Sequence, residues 1–507
     1  MSTPAHHKPQ RPPQANTLHE RGPMTLLADF LPGLPEIFLA LASVILLLWG
    51  VFSPFGKRML PLGILVTLLC ALALVVIMSH HEQTAFYGLF LSDAFTQFSK
   101  VLILAASASV YLMSHRQLEK ENVTDFEYGI LLLLSTLGMM VMVSANDLIS
   151  LFVGLELQSL PLYIMIAMQK DKPLASEAAM KYFILGALST ALLLFGASFI
   201  YGFAGTTQYE GLAQALSSNQ TPIFLHIGLV LIIVALAFKV SLAPFHMWTP
   251  DVYQGAPTSM TAFLAAAPKA AAVLLLLRLL HEVFGDQVGV WRAVLMGLSV
   301  VSLCVGAFGA LLQKDIKRLL AYSSIAHMGF ILLGLISATP LGAQNVFVYM
   351  AIYLVMVVGT FACVLCLRRH GKFIEEIDDL AGLSREMPLV AAALSVSLFS
   401  LAGIPPLAGF MAKFSIFIAL VDAGHIFLSV VGVLASVVTA AYYLRVVKVM
   451  YFDPPAQATL PLEPRHHMET TVIMLGCVIF MLSYMLYPEI LMEPARKASQ
   501  ALFFHPS

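Results

Sequence analysis

The chain has 507 residues, of which 59% are hydrophobic and only 11% are charged, whereas about a quarter of the residues of an ordinary soluble domain are charged. This composition excludes a soluble fold, and the net charge of −1 gives no indication of a nucleic acid or an acidic partner. The five cysteines include Cys363 and Cys366, which lie in an apolar segment with no second pair, so we predict free thiols rather than a metal site.

The apolar segments predict an all-α polytopic membrane protein. A helix needs about 20 apolar residues to cross a bilayer, and the chain contains fourteen such runs. Residues 1–23 precede them and are polar and proline-rich, so this segment is predicted to be a disordered extension. In chain order, the predicted helices lie near residues 31–52, 60–79, 93–114, 126–144, 147–168, 176–201, 222–243, 255–280, 291–312, 318–337, 343–367, 388–420, 424–450 and 469–490.

The basic residues of the loops support this threading and predict its orientation. The loops that follow even-numbered helices contain at most one basic residue, Arg292. Because Lys and Arg concentrate in cytoplasmic loops, we expect residues 368–385 in the cytoplasm, residues 202–221 outside, and both termini on the periplasmic side. The basic residues after odd-numbered helices are Lys57, Arg58, Arg116, Lys120, Lys170, Lys172, Lys314, Lys317, Arg318, Arg368, Arg369, Lys372, Arg385, Lys448 and Arg465.

Two of the predicted helices are interrupted by proline close to a lysine. Lys239 in the seventh helix is followed by Pro244, and Lys413 in the twelfth is preceded by Pro405 and Pro406. Proline removes a backbone donor, and the freed carbonyls are tolerated in a membrane only where protein or water satisfies them. The broken helix is the fourth of helices 4–8 and again of helices 9–13. Since five is an odd number, we predict two inverted repeats, as in transporters with a hydrated midplane site.

These repeats define the predicted domains. A disordered extension and three membrane helices precede the first repeat, and one helix with a tail follows the second repeat. The predicted boundaries are 1–23, 24–125, 126–281 for the first half-channel, 282–451 for the second half-channel, and 452–507.

Ionisable side chains inside the predicted helices are the candidate functional residues. Each costs at least about 2.5–3.5 kcal/mol at the bilayer centre. A structural alternative is a buried Glu–Lys pair that joins two helices, but the lysines outnumber the carboxylates, so pairing does not account for all of them. Groups whose charge depends on burial and on neighbours, together with histidine, are typical of a proton relay. The candidates inside the helices are Glu156, Lys181, Lys239, Lys269, His327 and Lys413, and His246 follows the seventh helix as a supporting candidate.

Other buried charges receive a structural interpretation. Lys100 and Asp93 on the third helix are predicted to form a structural pair. Arg278 at the end of the eighth helix is predicted to extend toward the membrane interface.

Three segments closely resemble the antiporter-like membrane subunits of respiratory complex I, the bacterial NADH-quinone oxidoreductase. The resemblance covers roughly residues 25–490. A sister subunit of that family has a glutamate where this chain has Lys413. The segments are "FKVSLAPFHMWTPDVYQGAPTSMTAFLAAAPKAA", "KDIKRLLAYSSIAHMGF" and "LAGIPPLAGFMAKF".

The resemblance implies a role for each matching residue. Glu156 would modulate the neighbouring Lys239 on the first broken helix. Lys269 would connect the two half-channels, and Lys413 would serve the second broken helix. The residues that would extend this polar axis are Lys181, His246 and His327.

The resemblance also implies the function, cofactors and partners. The chain would translocate protons while electrons pass from NADH to quinone in other subunits, which would hold the FMN and the iron–sulfur clusters. No glycine-rich nucleotide loop is present, so we expect no redox cofactor in this chain. The expected partners are other membrane subunits, including sister antiporter-like subunits, and lipid, but no nucleic acid. The expected location is the bacterial inner membrane.

Two alternatives remain open at this point. The chain could instead serve a multisubunit cation/proton antiporter or a membrane-bound hydrogenase, since these share the ancestry. The other alternative is a membrane scaffold with vestigial charges, but the number of unpaired intramembrane lysines argues against it.

Overall fold

The computed structural model describes residues 29–78, 82–120, 126–169, 171–217, 222–369, 372–454 and 468–503. The predicted disordered extension, residues 1–23, lies outside these residues.

The described residues are mostly helical, with two short antiparallel hairpins that pair β1 (Gln83–Ala85) with β2 (Phe90–Ser92) and β3 (Arg368–Arg369) with β4 (Lys372–Phe373). A π-helical turn spans Leu279–Val283. The α-helices are α1 (Leu34–Phe52), α2 (Pro54–Ile77), α3 (Ala94–Lys120), α4 (Glu127–Ser144), α5 (Leu148–Ile166), α6 (Pro173–Ala204), α7 (Tyr209–Leu216), α8 (Ile223–Lys239), α9 (Trp248–Gly255), α10 (Thr258–Ala265), α11 (Ala267–Arg278), α12 (Val288–Leu311), α13 (Ile316–Ile336), α14 (Pro340–Leu365), α15 (Leu383–Glu386), α16 (Pro388–Ala402), α17 (Ala408–Asp422), α18 (Ile426–Phe452), α19 (Met468–Ser483) and α20 (Glu489–Phe503).

The number of membrane crossings agrees with the fourteen predicted from the sequence. Within the described residues, twelve helical segments are long and apolar enough to cross a membrane, and two further apolar helices, α8 and α16, are shorter. Each short helix ends at a break, after which the chain continues in a second helix, α9 or α17. The prediction of an all-α membrane fold with a broken helix in each repeat is confirmed. The domain boundaries stay predictions.

Protein groups satisfy the backbone at the first break. Helix α8 ends at Lys239, and Ser241 then takes a positive φ of 65°. The indole of Trp248 donates to the carbonyl of Phe238 at 3.0 Å, and the N–H of Ala243 donates to Ser302 Oγ at 2.9 Å. A membrane helix can be interrupted where such groups replace the lost ladder bonds.

The eighth membrane helix contains a break that the sequence analysis missed. Helices α10 and α11 meet at Ala266, whose φ of −104° and ψ of −96° are not helical. Pro268 follows in the first turn of α11, and Lys269 comes directly after it. All three lysine candidates on helices seven, eight and twelve therefore lie next to an interruption of the helix.

The interior of the molecule is formed by the eighth, tenth and eleventh membrane helices. The segments Thr258–Val283, Ile316–Ile336 and Pro340–Leu365 are almost completely enclosed by other helices, whereas α1, α2, α6 and α18 expose apolar faces. A helix that is apolar on all sides is suited to such an interior position. The polar side chains of these enclosed helices consequently face other protein groups.

The predicted structural pair of Lys100 and Asp93 was wrong. Lys100 does not pair with Asp93, because its Nζ lies 2.8 Å from Glu36 Oε1. Asp93 pairs instead with Arg278, whose side chain is enclosed by protein and 1% exposed. Asp93 and Lys100 lie about 10 Å apart along the helix axis, and each has a closer partner on another helix.

Candidate functional site

Lys239 lies at the end of α8 and is buried against α5. Its Nζ donates to Ser159 Oγ at 2.8 Å. Ser159 in turn donates to the carbonyl of Leu155 at 2.6 Å. The partner of this buried ammonium is thus a neutral hydroxyl.

Glu156 lies on α5 one turn before Ser159. Residues three apart on a helix share a face, so the carboxylate and the hydroxyl that binds Lys239 are neighbours. Glu156 Oε1 accepts a hydrogen bond of 2.6 Å from Thr190 Oγ1 on α6. Among the described residues, Glu156 and Lys239 form no direct ion pair. The structure therefore brings the two predicted residues to one site, with a serine as the direct ligand of the lysine.

Lys181 lies apart from the buried lysines. Its side chain is 42% exposed, and Nζ lies 2.7 Å from Glu177 and 2.7 Å from Asp251. Asp251 on α9 also pairs with Arg318 at 2.7 Å. Lys181 thus belongs to a surface network that connects the first repeat to the start of α13 in the second.

His246 lies in the segment between α8 and α9. The ring is half-buried and lies 6.5 Å from the ring of Tyr322. Pro244 and Met247 beside it are exposed. His246 is thus placed at the outer edge of the break.

Lys269 occupies the first turn of α11 and is 1% exposed. Its Nζ donates to Ser324 Oγ on α13, and the ammonium lies 5.2 Å from the ring centroid of Tyr253. The Ser324 hydroxyl lies 2.8 Å from the hydroxyl of Tyr353 on α14. Lys269 of the first repeat is therefore connected through one serine to the second.

His327 lies on α13 one turn after Ser324 and is completely enclosed. Its Nδ1 lies 2.8 Å from the hydroxyl of Tyr349, and its Nε2 lies 3.3 Å from the hydroxyl of Tyr443 on α18. The Tyr443 hydroxyl also contacts Ser323. The imidazole thus lies between two phenolic hydroxyls, which both donate and accept hydrogen bonds.

Lys413 on α17 lies at the second break. Its Nζ donates to the carbonyl of Ala402, the last residue of α16, at 2.9 Å and to Ser436 Oγ at 3.1 Å. The ammonium lies 4.7 Å from the ring centroid of Phe330, whose ring lies 6.3 Å from that of His327. The lysine itself therefore satisfies a carbonyl that the break leaves free.

Helix α13 connects three of the candidates. Ser324, His327 and Phe330 follow one another at a spacing of three residues and lie on one face. That face contacts Lys269 at one end and Lys413 at the other. In the described part of the chain, no direct hydrogen bond joins this group to the Lys239 group.

Residues 145–439 match the family described as NADH:quinone oxidoreductase/Mrp antiporter, TM. The chain belongs to this NADH:quinone oxidoreductase/Mrp antiporter family. All seven candidate residues lie within the matched segment.

Relatives within the antiporter family match the chain over nearly its whole length. The chain is 47% identical over 481 residues to NADH-quinone oxidoreductase subunit N of Paramagnetospirillum magneticum, covering 94% of this chain and 98% of that protein. It is 48% identical over 478 residues to subunit N of Rhodospirillum rubrum, covering 93% and 97%. The resemblance to complex I that the sequence motifs indicated is confirmed.

Solved structures share the antiporter-family fold. A chain of respiratory complex I from Thermus thermophilus with bound Aureothin superposes with a TM-score of 0.78 at 32% identity, covering 90% of this chain and 98% of that chain. A chain of the Mrp complex from Dietzia sp. DQ12-45-1b superposes with a TM-score of 0.82 at 21% identity, covering 93% and 98%. The second similarity concerns the fold alone.

The sequence analysis missed the hydroxyl groups of the site. Ser159 follows Glu156 by three residues and Ser324 precedes His327 by three, so helical spacing from a predicted charge was a usable signal for both. The remaining hydroxyls lie on distant helices and carry no such signal. They are Thr190, Tyr349, Tyr353, Ser436 and Tyr443.

Metal ligands are not grouped in the part of the chain that the structure describes. No set of three or more His, Cys, Asp or Glu side chains there is placed to hold an ion. Cys363 and Cys366 are buried free thiols.

Proposed function

We propose that the chain is the proton-translocating membrane subunit of an NADH-quinone oxidoreductase and that Glu156, Lys239, Lys269 and Lys413 carry the protons, with His327 between the last two lysines. Electron transfer from NADH to quinone would take place in other subunits and drive this relay. The family membership and the named relatives support the assignment.

The observation that carries the proposal is the set of partners of the three buried lysines. Lys239 and Lys269 bind serine hydroxyls, and Lys413 binds a carbonyl and a serine. No described carboxylate forms an ion pair with any of them. Removing the proton of a lysine held by neutral groups leaves no buried carboxylate unpaired, whereas breaking a buried ion pair costs about 3–5 kcal/mol. These lysines are therefore suited to exchange protons.

The hydroxyl groups supply the connections between the relay residues. A hydroxyl both donates and accepts, so Ser324 can accept a hydrogen bond from Lys269 and donate one to Tyr353. Tyr349 and Tyr443 provide the same capacity at His327. Glu156, one turn from Ser159, would bias the charge of Lys239. Lys181 and His246 stay supporting candidates at the outer parts of this axis.

We further propose the surroundings of the chain. FMN, iron–sulfur clusters, nicotinamide and quinone would be bound by other subunits. The exposed apolar faces of α1, α2, α6 and α18 suit lipid and neighbouring membrane subunits, including sister antiporter-like subunits. The loop charges support a bacterial inner-membrane location with both termini periplasmic.

A second candidate function is a subunit of a cation/proton antiporter. The fold similarity to the Mrp complex favours it, but that similarity comes at lower sequence identity than the match to complex I. Purifying the intact assembly and identifying its subunits distinguishes the two, because only an oxidoreductase would contain flavin and iron–sulfur subunits.

Replacement of Lys239 tests the proposal. In inverted membrane vesicles, Lys239→Ala should lower NADH-driven proton pumping by about tenfold or more, since a proton-transfer group contributes on the order of 10²–10⁴-fold. Lys239→Arg should fail similarly, because arginine stays protonated below pH ~12. Glu156→Gln should also impair pumping, and Glu156→Asp less so.

The control is Lys100→Arg, which keeps a charge in a buried pair with Glu36 and should preserve pumping. Full pumping by Lys239→Arg would make Lys239 a structural anchor and contradict the relay.

A further inference from the structure

A second group of buried charges lies at the other end of α11 from Lys269. Arg278 ends this helix, and its side chain is 1% exposed. It pairs with Asp93 and, at 3.0 Å, with Glu282. Buried ion pairs often contribute little net stability compared with apolar packing, so the position of this cluster calls for another explanation.

The guanidinium of Arg278 contacts three different elements. Nη2 donates to Asp93 Oδ2 at the start of α3, and Nη1 donates to the carbonyl of Val143 at 3.1 Å near the end of α4. Nε faces Glu282 in the π-helical turn, and the guanidinium carbon lies 4.2 Å from the ring centroid of Phe95. Only the planar, multidentate arginine fork can make these contacts together.

Asp93 is itself held in place. Its Oδ1 accepts the backbone N–H of Thr96 at 2.7 Å, and the Asp93 N–H donates to Thr96 Oγ1 at 2.8 Å. One carboxylate oxygen is thus used to cap α3, which leaves the other directed at Arg278. The partner of the guanidinium has little freedom to follow a displaced arginine.

Helix α11 is a short rod with an irregular backbone at both ends. The break at Ala266 precedes it and the π-helical turn Leu279–Val283 follows it. Interruptions of this kind are frequent at functional sites. Because the regular α-helical bonding does not continue through either end, side-chain contacts must help to set the position of the rod. Lys269 and Arg278 lie at its two ends, about 13 Å apart along the axis.

We propose that Arg278, together with Asp93 and Glu282, is a positioning residue for Lys269. The cluster holds α11 at a defined height and rotation against α3 and α4, so that the Lys269 ammonium meets Ser324. A slide of one residue, about 1.5 Å along the axis, takes Nζ out of hydrogen-bond range of the serine. This inference rests on the proposed relay function of Lys269.

The test uses the intact complex in inverted membrane vesicles, with pumping expressed per assembled complex and measured across a range of pH. Arg278→Met should lower NADH-driven pumping by about tenfold, because a displacement of about 1 Å in a reacting group can cost up to 10²-fold. Arg278→Lys keeps the charge but loses the fork, so it should rescue pumping only in part. Both variants should shift the pH profile of pumping, because the surroundings of Lys269 change.

The matched control is the double variant Lys100→Met/Glu36→Gln. This pair is also buried and also involves α3, with Nζ and Oε1 2.8 Å apart, but it joins α3 to α1. The control should lower only the amount of assembled complex and leave pumping per complex and the pH profile unchanged. Wild-type pumping and pH profile in both Arg278 variants, or equal losses in the control, would overturn the inference.

Two further variants distinguish a failure of the positioning inference from a failure of the proposed function. If the complex with Arg278→Met does not assemble, Glu282→Gln is used instead, because it leaves the pair between Arg278 and Asp93 intact. An unchanged pumping rate and pH profile in Glu282→Gln would then count against the inference. Lys269→Ala reports on the relay itself. Normal pumping by Lys269→Ala would reject the proposed function, whereas loss there with normal pumping in the Arg278 variants would reject only the positioning role.

Discussion

A single hydroxyl group, that of Ser324, connects the two repeats. It contacts Lys269 from the first repeat and lies 2.8 Å from the hydroxyl of Tyr353 in the second. Because a hydroxyl can donate one hydrogen bond and accept others, Ser324 can act as donor to the tyrosine while it accepts from the lysine. A methyl group at this position has neither capacity.

Ser324→Ala should therefore reduce NADH-driven pumping per assembled complex by about tenfold or more. The matched control is Ser299→Ala on α12, another fully buried serine, which only donates to the carbonyl of Gly329 at 2.8 Å. Proton uptake into inverted vesicles measures both variants. Equal rates for the two would show that Ser324 is not part of the relay.

The buried charges of the candidate site are visible in the sequence, but most of their hydrogen-bond partners are not. A lysine in an apolar run is conspicuous because its burial is costly. The hydroxyls of Tyr349 and Tyr443 give no such signal, because tyrosine is common in apolar helices. The wrong pairing of Asp93 with Lys100 has the same origin, since spacing along one helix says nothing about Glu36 or Arg278 on other helices.

The break between α16 and α17 depends on close contact between two backbones. A Cβ added at Gly409 would lie 1.8 Å from the carbonyl oxygen of Ser400. The N–H of Gly409 also donates to Ser400 Oγ at 3.1 Å. The position thus requires a residue without a side chain, and Lys413 lies one turn further along the same helix.

Gly409→Ala should destabilise the second broken helix by about 3 kcal/mol or more, because overpacking that must move backbone is costly. The amount and thermal stability of the assembled complex on native gels measure this. The control is Gly476→Ala on α19, where an added Cβ meets no atom within 4 Å. A complex with Gly409→Ala as stable as the control would contradict the close packing.

The sequence predicted two of the three breaks beside lysines. The first two follow from Pro244 and from Pro405 and Pro406, which stand in long apolar runs. The third, at Ala266, lies in "AAAPKAAA", where alanine is the best helix former and a proline is tolerated in a first helical turn. Local propensity therefore favoured a continuous helix, and the interruption becomes visible only in the backbone angles.

The orientation of the whole molecule can be tested at two exposed positions between membrane helices. In a background without native cysteines, Glu210→Cys should react with an impermeant thiol reagent added to intact cells. Asp379→Cys should react only after the membrane is opened, because the basic loop around it is predicted to be cytoplasmic. Labelling of Asp379→Cys from outside would reverse the proposed topology.

Counting apolar runs predicted the membrane helices, but not which of them lie inside. Thr258–Val283 is fully enclosed, whereas Pro54–Ile77 is mostly exposed, and both are strongly apolar. In a membrane, lipid and protein interior are similarly apolar, so hydropathy does not separate the two environments. The enclosed helices are distinguished by their polar side chains, which need protein partners.

The hydrogen bond between Lys269 and Ser324 has a consequence for biogenesis. The two residues are 55 positions apart, with the lysine first, whereas Ser159 precedes Lys239 by 80 positions. At a synthesis rate of roughly 5–20 residues per second, Lys269 leaves the ribosome roughly 3–11 seconds before Ser324. The first broken helix thus inserts beside a hydroxyl that is already present. Helix α11 is synthesised before the hydroxyl that binds its lysine. The hydrogen bond of Lys269 can therefore form only while the second repeat is being made.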